Sequence, residues 1–163
     1  MALLRGARKS AFHLEVKDIY AVPEESEPLR RFLAGEPDDE YDLDEWTDVI
    51  RSLTAQGLAM SRIRVVTVPH TDYQRWLLSV TGPSVAAGED IRYIDRSTVD
   101  PSAVPKDDYW LFDDETVAFN LVDSEGVPVG PAVTTDPGIV GYCRTARERL
   151  WPAAIRYSEY IRK

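Results

Sequence analysis

The chain has 163 residues, 44% hydrophobic and 29% charged, with a formal net charge of −9. This size and balance specify one folded domain of ordinary globular composition and exclude wholesale disorder, a collagen-like repeat and a disulfide scaffold. The acidic excess argues against direct nucleic-acid binding, since a phosphate backbone rewards clustered Lys and Arg, and the longest apolar runs, such as Trp76 to Leu78, fall far short of the roughly 20 residues that cross a membrane. The basic residues Arg5, Arg8 and Lys9 are followed by no apolar stretch of signal-peptide length. Cys143, the single cysteine, cannot form an internal disulfide, and a cytoplasmic location is expected.

Phe12 to Tyr20 alternates apolar and polar residues, which predicts a short strand or an amphipathic arm over residues 1–20, ahead of a single α/β domain over 21–163. Ser26 is placed to cap a short helix that stops at Gly35. Leu43, Trp46, Val49, Ile50 and Leu53 then recur on one helical face that ends at Gly57. Ser61 to Val68 is β-branched and reads as a central strand, with Arg62 and Arg64 on the face opposite Ile63 and Val65. Thr71 or Asp72 caps the next helix, which carries Tyr73, Trp76, Leu77 and Val80 and breaks at Gly82-Pro83. Ile91 to Ile94 is a second strand, and strand, helix, strand at this spacing predicts a βαβ unit with a parallel pair.

Asp95 to Asp108 lacks periodicity and reads as a surface loop. Tyr109 to Phe112, Thr116 to Val122 and Val127 to Val133, separated by acidic and glycine turns, predict an antiparallel meander. Asp136-Pro137 opens the last helix, with Ile139, Val140, Cys143, Ala146 and Leu150 on one face. The result is an α/β (α+β) fold: a mixed sheet with flanking helices.

The charge is unevenly distributed. Between Glu24 and Asp48 there are eleven acids against Arg30 and Arg31; taking these from the 28 acids and 19 bases of the chain leaves 17 of each. The whole excess thus lies in one segment, either a solvated face that serves solubility or a docking surface for a basic partner, with Asp38, Asp39, Glu40 and Asp42 at its centre.

Catalytic and cofactor signatures are missing. Two histidines and one cysteine make no standard zinc site, and the phosphate-cradling loop, the dinucleotide fingerprint and the nucleophile elbow are absent; no metal or cofactor is implied. Cys143 reads as a core residue. One constellation stands where a parallel strand ends and its helix begins, a place where open α/β sheets collect ligands. There Tyr73 and Arg75 are candidate anion binders, with His70 and Asp72 beside them; against this, the same residues can serve as core aromatics, a loop histidine and a surface ion pair. Arg92, entering its strand beside Arg62 or Arg64, forms a second cluster, for which Asp113, Asp114 and Glu115 are the nearest carboxylates. Asp113 and Asp114 are also a weak metal pattern.

The stretches RRFLAGEPDDE, PHTDYQRWLL, AGEDIRY, YWLFDDETVAFNLVD and TTDPGIVGYCRTARERLW, between Leu29 and Trp151, resemble an uncharacterised actinobacterial family of unknown function. Its genes often lie beside helix-turn-helix transcription regulators, which implies a regulatory partnership and transfers no catalytic residue. The order of elements is also similar to one half of the phospholipase D fold. That family's His-x-Lys signature is not met, because Glu15 and Asp72 stand two positions after His13 and His70, so the resemblance implies a non-catalytic relative. The expectation is a regulatory or accessory binding domain, partner of a helix-turn-helix regulator; the alternative is an enzyme or sensor acting on a phosphate-containing or other anionic small molecule.

A docking role for the acidic segment has a kinetic signature. Changing Asp38, Asp39, Glu40 and Asp42 to Asn or Gln should slow association with a helix-turn-helix regulator and flatten its salt dependence, because exposed charges steer encounter only within a Debye length of about 8 Å at physiological salt. Stopped-flow rates at low and high salt check this; rates indifferent to both changes would leave the segment a solubility device.

Overall fold

The structure, a computed structural model, describes residues 2–36, 43–123 and 127–162. In chain order its principal elements are α1 (Ala2–Gly6), β1 (Ser10–Glu15), α2 (Pro23–Ala34), α3 (Asp44–Ala55), β2 (Ala59–Val66), α4 (Asp72–Val80), α5 (Gly82–Ala86), β3 (Asp90–Asp95), β4 (Tyr109–Phe112), β5 (Thr116–Val122), β6 (Pro128–Thr134), α6 (Pro137–Leu150), β7 (Ile155–Arg156) and α7 (Tyr157–Tyr160). The seven strands form one sheet in the order β6-β5-β4-β1-β2-β3-β7. The pairs β1–β2 and β2–β3 are parallel, and all other pairs are antiparallel.

The expected βαβ unit and antiparallel meander are both present. Of the two forms expected for residues 1–20, the structure has the strand, and it is central: β1 lies between β4 and β2. It adds a second parallel crossover, β1 to β2 through α2 and α3. Both crossovers step along the sheet in one direction, so right-handed connections place α2 to α5 on one face. The other face receives α6.

Period-two alternation divides the strands accordingly. Phe12, Leu14, Ile63, Val65, Tyr109 and Leu111 point toward α6 and pack with its Val140, Cys143 and Leu150. Burial pushes the Cys143 thiol up to about 11, in keeping with a core cysteine. Ala11 and Met60 point the other way and meet Leu4 of α1 with Ile50 and Leu53 of α3. Farther along that face Tyr73, Trp76 and Leu77 of α4 pack against Leu29 and Phe32 of α2.

Local chemistry explains most boundaries. Thr71 accepts a hydrogen bond from the Gln74 backbone and caps α4; Asp136 accepts from Gly138 and Ile139 and caps α6. Gly35 ends α2 in the left-handed region at φ 69°. Ser26 is not the cap expected of it: α2 begins at Pro23, whose fixed φ suits a first turn, and the Ser26 hydroxyl donates back to the Val22 carbonyl. The edge strand β7 was not anticipated, since two residues are too short for any periodicity to register. Among the described residues no helix is long and apolar enough to cross a membrane.

Two neighbours on α4 test this packing. Trp76 is fully buried, so Trp76→Ala should cost roughly 3 to 5 kcal/mol. Arg75 is exposed and, among the described residues, pairs only with Asp72 on its own helix, so Arg75→Ala should stay within about 0.5 kcal/mol. Urea unfolding of both variants checks the contrast.

Candidate functional site: a charged floor under a half-open cavity

In the parallel pair β1–β2, His13 lies opposite Arg62 and Glu15 opposite Arg64. The pleat sends all four side chains to the α2–α5 face, where an unpaired charge could not be buried. They satisfy one another. Arg62 donates through Nη1 to Glu15 Oε1 (2.6 Å), and Arg64 through Nε to Glu15 Oε2 (2.5 Å). Arg62 Nε donates to Glu89 Oε1 (2.8 Å), from the turn entering β3. Arg64 Nη1 donates to the hydroxyls of Thr81 (2.7 Å) and Tyr93 (2.9 Å). Two guanidinium groups and two carboxylates thus make a neutral, almost fully buried frame.

Burial alone would raise the Glu15 pKa, but Arg62 and Arg64 outweigh it and hold the carboxyl well below the usual carboxylate range. His13 goes down to about 3: burial lowers it, Glu15 opposes, and both arginines add to the lowering. It is therefore neutral at physiological pH. Its Nε2 lies 3.1 Å from Asn120 Nδ2 and accepts that amide hydrogen, which leaves the ring proton on Nδ1. The ring stacks on Trp110 at 4.2 Å.

These groups form one end of a cavity of about 800 Å³, within the usual range for small-molecule sites. Its apolar walls include Leu43 and Trp46 on the α3 side, Leu77 and Val80 of α4, and Trp110 of β4; Tyr20, Tyr73, Glu25 and Asp108 add polar edges. The Tyr73 hydroxyl donates to Glu25, and Asp108 accepts from the Val16 backbone at 2.8 Å. Burial pushes the Asp108 pKa up.

Of the residues singled out from sequence, Arg62, Arg64 and Tyr73 belong to this site. The others lie elsewhere. His70 is in the β2–α4 loop, with Nδ1 donating to the Thr67 carbonyl and Nε2 accepting from the Tyr160 hydroxyl, each at 3.0 Å. Asp72 and Arg75 form an exposed pair. Arg92 does not stand beside Arg62 and Arg64: the register sets it against Ile63, on the opposite face, where its guanidinium lies 3.9 Å over the Trp151 ring. Asp113 and Asp114 are not the arginines' partners, a role that Glu15 and Glu89 fill. Asp113 accepts from the backbone of Arg8, Lys9 and Ser10, and Asp114 pairs with Arg147 at 2.6 Å. Both have positive φ (53° and 59°) in the tight β4–β5 turn. Among the described residues no group of three or more His, Cys, Asp or Glu side chains could hold a metal. Asp38, Asp39, Glu40 and Asp42 lie outside the described residues.

The sequence reading missed His13, Glu15, Trp46, Trp110 and Asn120 as site residues. A signal existed: His13 and Glu15 alternate with apolar residues in one strand as Arg62 and Arg64 do in another, and alternating charge in two central strands requires the two sets to meet.

A sheet with parallel crossovers on one face, an antiparallel meander and α6 across the other face is the phospholipase D fold. The phospholipase D family member Nuc from Salmonella typhimurium is similar to 96% of this chain and 86% of its own, with a TM-score of 0.56 and 10% identity. TrmBL2, an archaeal chromatin protein whose structure shows a novel mode of DNA binding, is similar over 95% of this chain with a TM-score of 0.52 and 13% identity; the chain spans 48% of its length. No curated protein matches the sequence significantly. The chain belongs to the family described as domain of unknown function DUF6879, whose model matches residues 1–162.

The lowered pKa values of His13 and Glu15 set the acid response of the fold. Between about 6.5, where an unfolded histidine titrates, and about 3, the unfolded chain binds a proton that folded His13 does not. Below about 4 the same holds for Glu15. Both effects favour unfolding in acid. The melting temperature should therefore fall as pH drops below about 6.5, and His13→Gln should move the onset of that fall toward pH 4, as differential scanning calorimetry across pH would show.

Proposed function

We propose that this domain is a non-catalytic regulatory or accessory module that works by binding, with the cavity above Glu15, Arg62 and Arg64 as its ligand site and a helix-turn-helix regulator as its protein partner. One observation carries the reading: charged groups are kept buried beside a half-open cavity large enough for a small molecule. A well-packed apolar patch would be as stable or more so, so stability alone does not account for this frame. The absence of turnover is inferred from His13-Leu14-Glu15, which puts a carboxylate where the phospholipase D signature has lysine. Phosphodiester cleavage needs a cationic group at the phosphate, and here both nearby guanidinium groups are engaged by Glu15.

Similarity to a DNA-binding chromatin protein supports placement beside a DNA-binding partner. The net charge of −9 favours contact with nucleic acid through that partner over direct contact.

The enzymatic alternative is tested on bis(p-nitrophenyl) phosphate with and without divalent cations. No turnover above the blank is expected. Hydrolysis that disappears in His13→Ala would overturn the non-catalytic reading and make His13 a catalytic residue.

A further inference from the structure

The unused hydrogen-bonding capacity of the cavity floor identifies the chemistry of what it holds. Every oxygen of Glu15 is taken by a guanidinium. The guanidinium groups are not saturated in return. Arg62 and Arg64 each use Nε and Nη1, and among the described residues neither Nη2 has a protein acceptor. Among the described residues His13 Nδ1 is buried without a hydrogen-bond partner, on a side chain only 9% exposed, and the ring lines the cavity. The nearest acceptor to Nδ1, Glu15 Oε1 at 3.5 Å, is beyond ordinary hydrogen-bond length. Glu89 Oε2 is also buried without a partner, but Glu89 is not among the cavity-lining residues; on the cavity side the floor lacks acceptors, since two cationic N–H₂ groups and one imidazole N–H remain, and a group that only accepts would complete all three.

We infer that the cavity binds an organic carboxylate with a flat apolar body, its head group on Arg62 Nη2, Arg64 Nη2 and His13 Nδ1 and its body between the indoles of Trp46 and Trp110 and the side chains of Leu77 and Val80. This rests on the reading of the cavity as a ligand site and specifies the ligand class. The planar head group matches the edges of two guanidinium groups. The charge is limited as well as signed. Arg62 and Arg64 are already balanced by Glu15 and Glu89, and Glu25 and Asp108 also border the space. One added negative charge is accommodated by charge-assisted hydrogen bonds; the double charge of a phosphate monoester meets carboxylates with no cation left to offset it. The walls, with Leu43 added to those four, are mostly apolar and offer no partner to a polyhydroxylated body.

The test is isothermal titration calorimetry of the full chain with matched probes: indole-3-acetate, its neutral amide indole-3-acetamide, tryptamine, phenyl phosphate and inorganic phosphate, after a thermal-shift screen of a fragment library containing all these classes. Indole-3-acetate, or the best aromatic carboxylate from the screen, should bind at least about tenfold more tightly than its amide and than phenyl phosphate. His13→Gln should weaken the carboxylate by about tenfold, the worth of one charge-assisted hydrogen bond, and leave the amide nearly unchanged. Since Arg62 and Arg64 also hold the fold, the comparison of carboxylate with amide on the unaltered protein decides the matter without them. Amides, amines or phosphates that bind as well as carboxylates would overturn the carboxylate assignment while keeping the cavity as a ligand site. If no fragment of any class binds and the indole fluorescence stays unmoved, the ligand-site reading falls with it.

Discussion

The Glu15 carboxylate held between Arg62 and Arg64 is the contact around which this face of the molecule is organised. Because β1 and β2 run parallel with His13 opposite Arg62 and Glu15 opposite Arg64, four polar side chains converge on one patch in the middle of a seven-stranded sheet. Charge in that position must be paired or solvated. Glu89 is delivered from the turn before β3 to meet Arg62, and Thr81 and Tyr93 are delivered from α4–α5 and β3 to meet Arg64. The helices cannot lie flush on such a patch as α6 lies on the apolar opposite face. They close around it, with α1 and α3 packed at one end and α4 with α2 at the other, and the cavity is the space between. The ion network and the pocket are one structural consequence, not two features that happen to adjoin.

This explains which parts of the molecule could be read from sequence. Helices α3, α4 and α6 follow from apolar spacing and from Thr71 and Asp136 as caps, and the meander from β-branched runs broken by acidic turns. These are local signals. The site is not local. Arg62 and Arg64 were legible as a shared face, but their carboxylates come from 27 to 49 residues away. Asp113 and Asp114 looked nearer because the β4–β5 hairpin was legible while the parallel pairing of β1 with β2 was not; a parallel pair carries no turn signature and is visible only through the crossover that joins it.

Arg92 shows how narrow the margin is. It was grouped with Arg62 and Arg64 on sequence, and it does lie on the adjacent strand. The register aligns Ile63 with Arg92 and Arg64 with Tyr93, and a shift of one residue in a strand exchanges its two faces. The tyrosine therefore supplies the hydroxyl that completes Arg64, while the arginine sits over Trp151 across the sheet. His70 and Tyr73 divide in the same way: the first is consumed by a loop hydrogen bond and by Tyr160, and the second, three residues on, turns inward with α4 to the cavity edge.

On the proposed reading, the residue at position 15 also separates two kinds of chemistry on a shared fold. With a lysine two residues after the histidine, a floor holding two arginines would carry three cations, an arrangement that collects a phosphate and stabilises the charge that develops as its ester is cleaved. With glutamate there, the same backbone holds a neutral frame. Nε and Nη1 of both arginines are engaged, and among the described residues Nη2 of each has no protein acceptor. On the proposed reading, such a frame would recognise through fixed geometry and a few unfilled donors, with little capacity to follow charge as it moves in a reaction. A rigid, charge-balanced floor beneath mostly apolar walls suits a site that holds its ligand unchanged.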